Sequence, residues 1–150
     1  VYVSNRSRPD ISPIVSILCG RVRDANKNDW EKLCRLIKYL SCTKELHLIL
    51  HYDGLSLSRW HVDASFAVHD DLKSQSGGLC MLSEKGGAIS SGSTKQRLTT
   101  RSSTESEIVA VDDFHPKILW TLHFLECQGY NLNMRLYQDN TSAITLETKG

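Results

Sequence analysis

Three carboxylates stand out in the sequence, each in a distinctive local setting. Asp63 lies in Arg59-Trp60-His61-Val62-Asp63-Ala64-Ser65. Glu107 closes Ser102-Ser103-Thr104-Glu105-Ser106-Glu107. Asp139 lies in Leu136-Tyr137-Gln138-Asp139-Asn140-Thr141-Ser142-Ala143. The first and third end apolar, strand-like runs, and the second opens a helix. Carboxylates so placed can meet where strands end and a helix begins. A cluster of acidic oxygens suits a hard divalent cation, and Mg²⁺ works with few protein ligands plus substrate phosphate. The chemistry implied is metal-assisted attack on a phosphodiester.

Each carboxylate also has a plainer reading. Asp63 alone reads as a surface residue on an edge strand. Both Ser102-x-x-Glu105 and Thr104-x-x-Glu107 are legal capping boxes, and only one can be the real cap. If Ser102 caps, Glu107 is free to face the sheet. Asp139 or Asn140 can cap a following helix, and a helix N-terminus favours negative charge in any case. Around these residues, Ser93-Thr94-Lys95-Gln96-Arg97 and Arg101 form a small basic cluster. By itself it reads as a solvated loop; beside a metal centre it becomes a phosphate track. Ser65, Lys73, Lys95, Arg97, Arg101 and Asn140 are the candidate nucleic-acid contacts, with Ser102 and Ser103 as further hydroxyls for backbone or 2′-hydroxyl groups. The acidic pairs Asp70–Asp71 and Asp112–Asp113 read as solvated element boundaries.

The chain has 150 residues, 40% of them hydrophobic, which suits one domain or a small domain with an appendage. A formal net charge of +1 says nothing about a partner, so any nucleic-acid surface must be local. Apolar runs such as Leu48-Ile49-Leu50 are far too short to span a bilayer, and no signal-peptide pattern occurs. Five dispersed cysteines, Cys19, Cys34, Cys42, Cys80 and Cys127, contain no Cys-x-x-Cys pair. Reduced thiols are expected. Cys42, His47 and His51 lack a fourth ligand and read as part of a strand.

The elements that must position the carboxylates follow from periodicity and punctuation. The N-terminal quarter predicts two helices. Asp10 caps the first, which carries Ile11, Ile14, Val15 and Leu18 at helical spacing and stops at Gly20. Asn28 caps the second, with Glu31 as its reciprocal partner and Trp30, Leu33, Cys34, Ile37 and Leu40 as its stripe. Leu46, Leu48 and Leu50 alternate with His47, Ile49 and His51, which predicts a strand. Strands are also predicted over Trp60–Val68, Gly77–Leu82 and Ala88–Ser93, the last two joined by a Glu84-Lys85-Gly86-Gly87 hairpin turn. A helix begins near Ser103 or Thr104 and carries Ile108, Val109 and Val111 in its first half. Pro116 breaks or kinks it. Ile118, Leu119, Leu122 and Leu125 form an apolar face in its second half, and Gly129 ends it. A strand over Met134–Tyr137 and a helix from Thr141 follow. The order is β-β-β-α-β-α, an α/β arrangement around one mixed sheet.

With these pieces in place the chain resembles the ribonuclease H region of copia-type retrotransposon polyproteins. The resemblance runs through Asn5-Arg6-Ser7-Arg8-Pro9-Asp10-Ile11-Ser12, Trp30 to Leu40, Trp60 to Ser65, Asp71 to Gly77, Gly87-Ala88-Ile89-Ser90 and Ser93-Thr94-Lys95-Gln96. Its most specific pieces are Ser102 to Glu107 and Leu136 to Ile144. It implies that residues 1–43 are the helical tail of a reverse transcriptase, in its connection region. Residues 44–150 would be a ribonuclease H-like domain, an antiparallel three-strand meander with a parallel fourth strand and helices. It further implies that Asp63, Glu107 and Asp139 hold two Mg²⁺ ions, Mn²⁺ being able to substitute, roughly 4 Å apart. The reaction implied is hydrolysis of the RNA strand of an RNA–DNA hybrid. The expected partners are that hybrid and the remainder of the polyprotein, and no membrane. The setting implied is intracellular, in the cytoplasm and within virus-like particles. The family carries a fourth acidic residue and a fifth strand downstream of Gly150, and its polymerase aspartates lie upstream. No polymerase activity is therefore expected of this chain, an unpaired sheet edge is expected to make its folding marginal, and the alternative to a nuclease is a non-catalytic relic that keeps the fold, or a nucleic-acid-binding or interaction fragment of the polyprotein.

Overall fold

The computed structural model describes residues 1–54 and 56–149, and divides the chain into two compact units, Val1–Leu48 and Ile49–Gly150. Gly150, the end of the second predicted domain, lies outside the described residues.

The first unit is helical. Helices α1 (Tyr2–Arg6), α2 (Ser12–Gly20) and α3 (Lys27–Cys42) are separated by 3-10 turns at Pro9–Ile11 and Val22–Asp24. Two predicted caps are corrected. Asp10 does not cap α2. Its carboxylate instead accepts from Arg8 Nη2 at 2.8 Å and from the Tyr39 hydroxyl at 2.8 Å. The hydrogen bonds from Arg8 hold that carboxyl below its ordinary range. Arg8 also donates to the Thr43 carbonyl and hydroxyl, so the Arg8-Pro9-Asp10 turn is tied to the end of α3. The cap of α3 is Asn26 with Asp29 as its reciprocal partner, two residues before the predicted Asn28–Glu31 box. Asp29 is buried and paired with Arg21 at 3.1 Å, a partner that Glu31 does not have, and this selects the earlier box.

The second unit is a four-stranded sheet in the order β3-β2-β1-β4, with β1 Leu57–Ser65, β2 Gln75–Met81, β3 Ser90–Lys95 and β4 Asn133–Tyr137. Strands β1, β2 and β3 are antiparallel, and β4 runs parallel to β1. Helix α4 (Ser103–Cys127) connects β3 to β4, and α5 (Thr141–Lys149) follows β4. This is the ribonuclease H-like mixed sheet that the sequence predicts. The predicted strand over Leu46–Leu50 is not formed. These residues have no regular secondary structure, and the Ile49 carbonyl instead accepts from the Gly87 N–H at 2.8 Å. The β2–β3 connection is accordingly a long loop rather than a tight hairpin.

Strand alternation sends Trp60, Val62 and Ala64 to one face, where they pack with Cys80 and with Ala110, Phe114 and Ile118 of α4. The buried stripe of α4 is therefore Glu107, Ala110, Phe114 and Ile118, spaced by three and four. Leu119, predicted to lie on that face, is exposed, as are Trp120 and Phe124, which stack on each other at 5.2 Å. Pro116 does not break α4. It lies on the exposed side, as does Asp112, whose carbonyl loses its N–H partner and can turn to water. Gly129 (φ 87°) ends the helix as predicted: its N–H reaches the Glu126 carbonyl and that of Tyr130 reaches the Leu125 carbonyl, a Schellman stop.

Phe114 explains two glycines. Gly78 and Gly92 are paired across β2 and β3, and its ring lies on them. A methyl group added at Gly78 would stand 2.5 Å from two ring carbons. Gly78→Ala is expected to destabilise the protein by about 1–3 kcal/mol through overpacking. Urea unfolding checks this: the midpoint falls while the slope is unchanged.

Candidate metal centre

The parallel pairing of β1 with β4 brings the first and third carboxylates together. His61 is level with Tyr137, and their rings stack at 4.6 Å on the face away from α4. Two residues further along each chain come Asp63 and Asp139, at the same end of neighbouring segments. Both are exposed.

The second carboxylate arrives from α4. Ser102 caps this helix and accepts from the Glu105 N–H at 3.1 Å. Glu105 turns back to the Arg101 N–H. Ser102 is thus the real cap, although Glu105 reaches the Arg101 N–H rather than the reciprocal Ser102 N–H, and Glu107 is released toward the sheet, where it is buried. One carboxylate oxygen from each of Asp63, Glu107 and Asp139 lies within 4.8 Å of the other two. Among the described residues, no other group of three or more Asp, Glu, His or Cys side chains converges in this way, and none contains Cys42, His47 or His51.

The electrostatics of the cluster are strained in one direction. Burial pushes the Glu107 carboxyl above its ordinary value, and the charges of Asp63 and Asp139 push the same way. The Gln138 amide and the Ala64 backbone pull against them. Three anionic side chains held this close, one of them buried, form an all-oxygen donor set suited to a hard divalent cation.

The other predicted contact residues are dispersed around this end of the sheet. Ser65 is exposed at the last position of β1, opposite Gln75. Lys73 is half-buried in the β1–β2 loop. Lys95 pairs with Asp71 at 2.8 Å, while Arg97 and Arg101 are exposed between β3 and α4. Asn140 caps α5, its Oδ1 accepting from the Ser142 and Ala143 N–H groups at 3.0 Å.

Two residues at the site escaped the sequence reading. Gln138 donates to Glu107 Oε2 at 3.1 Å. Gln138 lies beyond the last residue of β4, so strand alternation does not mark it. Gln96 was grouped with the exposed basic cluster, yet it is almost fully buried. Its amide donates to the Ser76 hydroxyl at 3.0 Å and to the Ser106 carbonyl at 2.8 Å, fixing the first turn of α4 against β2. A polar residue between basic neighbours carries no sequence mark of burial.

Fold and site together define a ribonuclease H-like α/β domain with a three-carboxylate cluster at the end of its sheet. The chain is 31% identical over 121 residues to secreted RxLR effector protein 161 of Plasmopara viticola, covering 80% of this chain and 84% of the effector. It is 30% identical over 148 residues to the retrovirus-related Pol polyprotein from transposon TNT 1-94 of Nicotiana tabacum, and 32% identical over 144 residues to that from transposon RE2 of Arabidopsis thaliana. Those matches cover 97% and 93% of this chain but 11% and 10% of the polyproteins, so the chain spans about a tenth of their length. The chain belongs to the family that includes the effector, and its origin is a retrotransposon polyprotein. No family model and no solved structure matches it. Among the described residues, no helix is long and apolar enough to cross a membrane.

Proposed function

We propose that the second unit is the ribonuclease H domain of a copia-type retrotransposon polyprotein, and that it hydrolyses the RNA strand of an RNA–DNA hybrid. The observation that carries this reading is the meeting of Asp63, Glu107 and Asp139 within 4.8 Å, from three elements far apart in sequence. Two Mg²⁺ ions, or Mn²⁺ in their place, fit this donor set, and when bound they supply the Lewis acidity that phosphodiester hydrolysis needs. Asp63 and Asp139, exposed at the rim, face the substrate side. Glu107 closes the site from below, on a helix whose first turn is pinned by Gln96. The exposed Arg97 and Arg101, with Lys95 and Lys73, supply positive charge for the hybrid backbone, and Ser65 offers a hydroxyl near the rim. Contact with a 2′-hydroxyl distinguishes RNA from DNA. On this reading residues 1–43 are the tail of the reverse transcriptase, and the chain acts with the rest of the polyprotein inside the cell, in the cytoplasm and within particles of the element.

The test is purified chain with an end-labelled RNA–DNA hybrid. Cleavage of the RNA strand is expected in Mg²⁺ and Mn²⁺, with none in EDTA and none of a DNA duplex. An intact hybrid together with no uptake of Mn²⁺ would overturn the proposal. One observation favours a second reading, a non-catalytic interaction module: a relative named as a secreted effector matches this chain over 84% of its own length. Binding of the hybrid without cleavage, in a protein that takes up no Mn²⁺, would support that reading instead.

A further inference from the structure

We infer that Gln138 is a positioning residue of the metal centre, joining the second carboxylate to the backbone of the third through a single side-chain amide. This rests on the reading of the carboxylate cluster as a metal site. The Gln138 Oε1 atom accepts from the Asp139 N–H at 2.9 Å and from the Asn140 N–H at 3.3 Å. Two backbone donors on that atom fix which way round the amide lies, because its NH₂ group cannot accept from either. The Nε2 atom is thereby turned toward α4, and it donates to Glu107 Oε2 at 3.1 Å. The link spans 31 residues of sequence and runs from helix α4 to the junction of β4 and α5.

The consequence lies in the freedom of Glu107. A glutamate side chain has three rotatable bonds, and two neighbouring carboxylates repel it from the geometry a cation requires. Ordering such a side chain costs conformational entropy. Gln138 holds one of its oxygens in place before a cation arrives, so less ordering remains at the moment of binding. The same amide anchors the chain that carries Asp139, so the two ligands are set relative to each other. Groups of this kind, standing behind metal ligands, typically alter metal affinity by roughly 10- to 100-fold.

The experiment titrates Mn²⁺ into the full chain, following free Mn²⁺ by electron paramagnetic resonance, with melting in EDTA measured in parallel. Gln138→Met keeps the length of the side chain and loses every hydrogen bond. Gln138→Asn keeps the amide but is one methylene too short to reach both partners, and its polar surface protects folding. Both variants are expected to bind Mn²⁺ about 10-fold more weakly than the wild type and to melt in EDTA where the wild type does. Hybrid cleavage lost by either at low Mg²⁺ is expected to return at high Mg²⁺. Wild-type affinity in both variants would overturn the inference while leaving the metal site intact. Weakened binding that tracks a lower melting temperature in EDTA would overturn it too, assigning Gln138 a structural role. A wild-type chain that takes up no Mn²⁺ would remove the metal site itself, and this inference with it.

Discussion

Asp63→Asn is expected to abolish Mg²⁺-dependent cleavage of an RNA–DNA hybrid while leaving the protein folded. The carboxamide has the shape of the carboxylate but lacks its charge, and a cation held by few protein oxygens depends on that charge. Asp63 is exposed at the end of β1, so its substitution opens no cavity and leaves no buried group unpaired. It also removes one of the two like charges that push the Glu107 carboxyl upward. The melting temperature in EDTA is therefore expected to stay level or to rise slightly. The loss of cleavage is expected to exceed the roughly 10- to 100-fold typical of groups that stand behind metal ligands. Asp139→Asn is expected to behave alike, since its carboxylate lies within 4.8 Å of that of Asp63. Single-turnover cleavage at saturating enzyme measures the effect. Cleavage that survives both substitutions would remove the carboxylate cluster from the reaction.

The convergence of these carboxylates was legible because its causes are local. Strand alternation carries Asp63 to one face, a Ser102 cap frees Glu107, and the end of β4 at Tyr137 places Asp139 just beyond a strand. Each cause has a sequence mark. The strand predicted over Leu46–Leu50 failed for a different reason. Alternation reports that one face is apolar, but a strand also needs a partner for its backbone, and the Ile49 carbonyl finds only the Gly87 N–H. The choice between Asn26 and Asn28 as the cap of α3 was not legible either, since both boxes are legal in sequence. It was decided by Arg21, a residue outside both boxes that pairs with Asp29. Pro116 does not bring the break that was one of its two expected effects, because its cost depends on which side of the helix it faces. With Ala110, Phe114 and Ile118 holding the other side to the sheet, the helix continues past it. Gln138 and Gln96 owe their roles to where an amide points, and composition carries no sign of that.

Glu107→Gln separates stability from metal binding, because the two are expected to move in opposite directions. In the absence of metal the Glu107 carboxyl is raised above its ordinary value near 4.5, first by burial and then by the charges of Asp63 and Asp139. A carboxyl raised in the folded state favours folding most when it is protonated. Its contribution is fully present below the ordinary value and is lost as pH rises through the raised one. Wherever Glu107 is ionised, the metal-free wild type therefore folds against its buried charge. The glutamine variant carries no such charge, and its carbonyl still accepts from Gln138. Its melting temperature in EDTA is expected to be higher by on the order of 4 °C, corresponding to about 1 kcal/mol in a unit of this size. Its stability is expected to depend less on pH above 4.5, the ordinary carboxyl value. Mg²⁺ reverses the order. The wild type gains about 2.7 kcal/mol when the ion stands at 100 times its dissociation constant, and the variant, missing one anionic ligand, gains far less. The two melting curves are thus expected to exchange places as Mg²⁺ is raised. A variant less stable than the wild type in EDTA would show that Glu107 is held by its hydrogen bonds rather than strained by its neighbours. A variant that responds to Mg²⁺ as the wild type does would place the ion elsewhere. The exchange of order requires both burial against like charge and relief by a cation, the two properties expected of a metal centre.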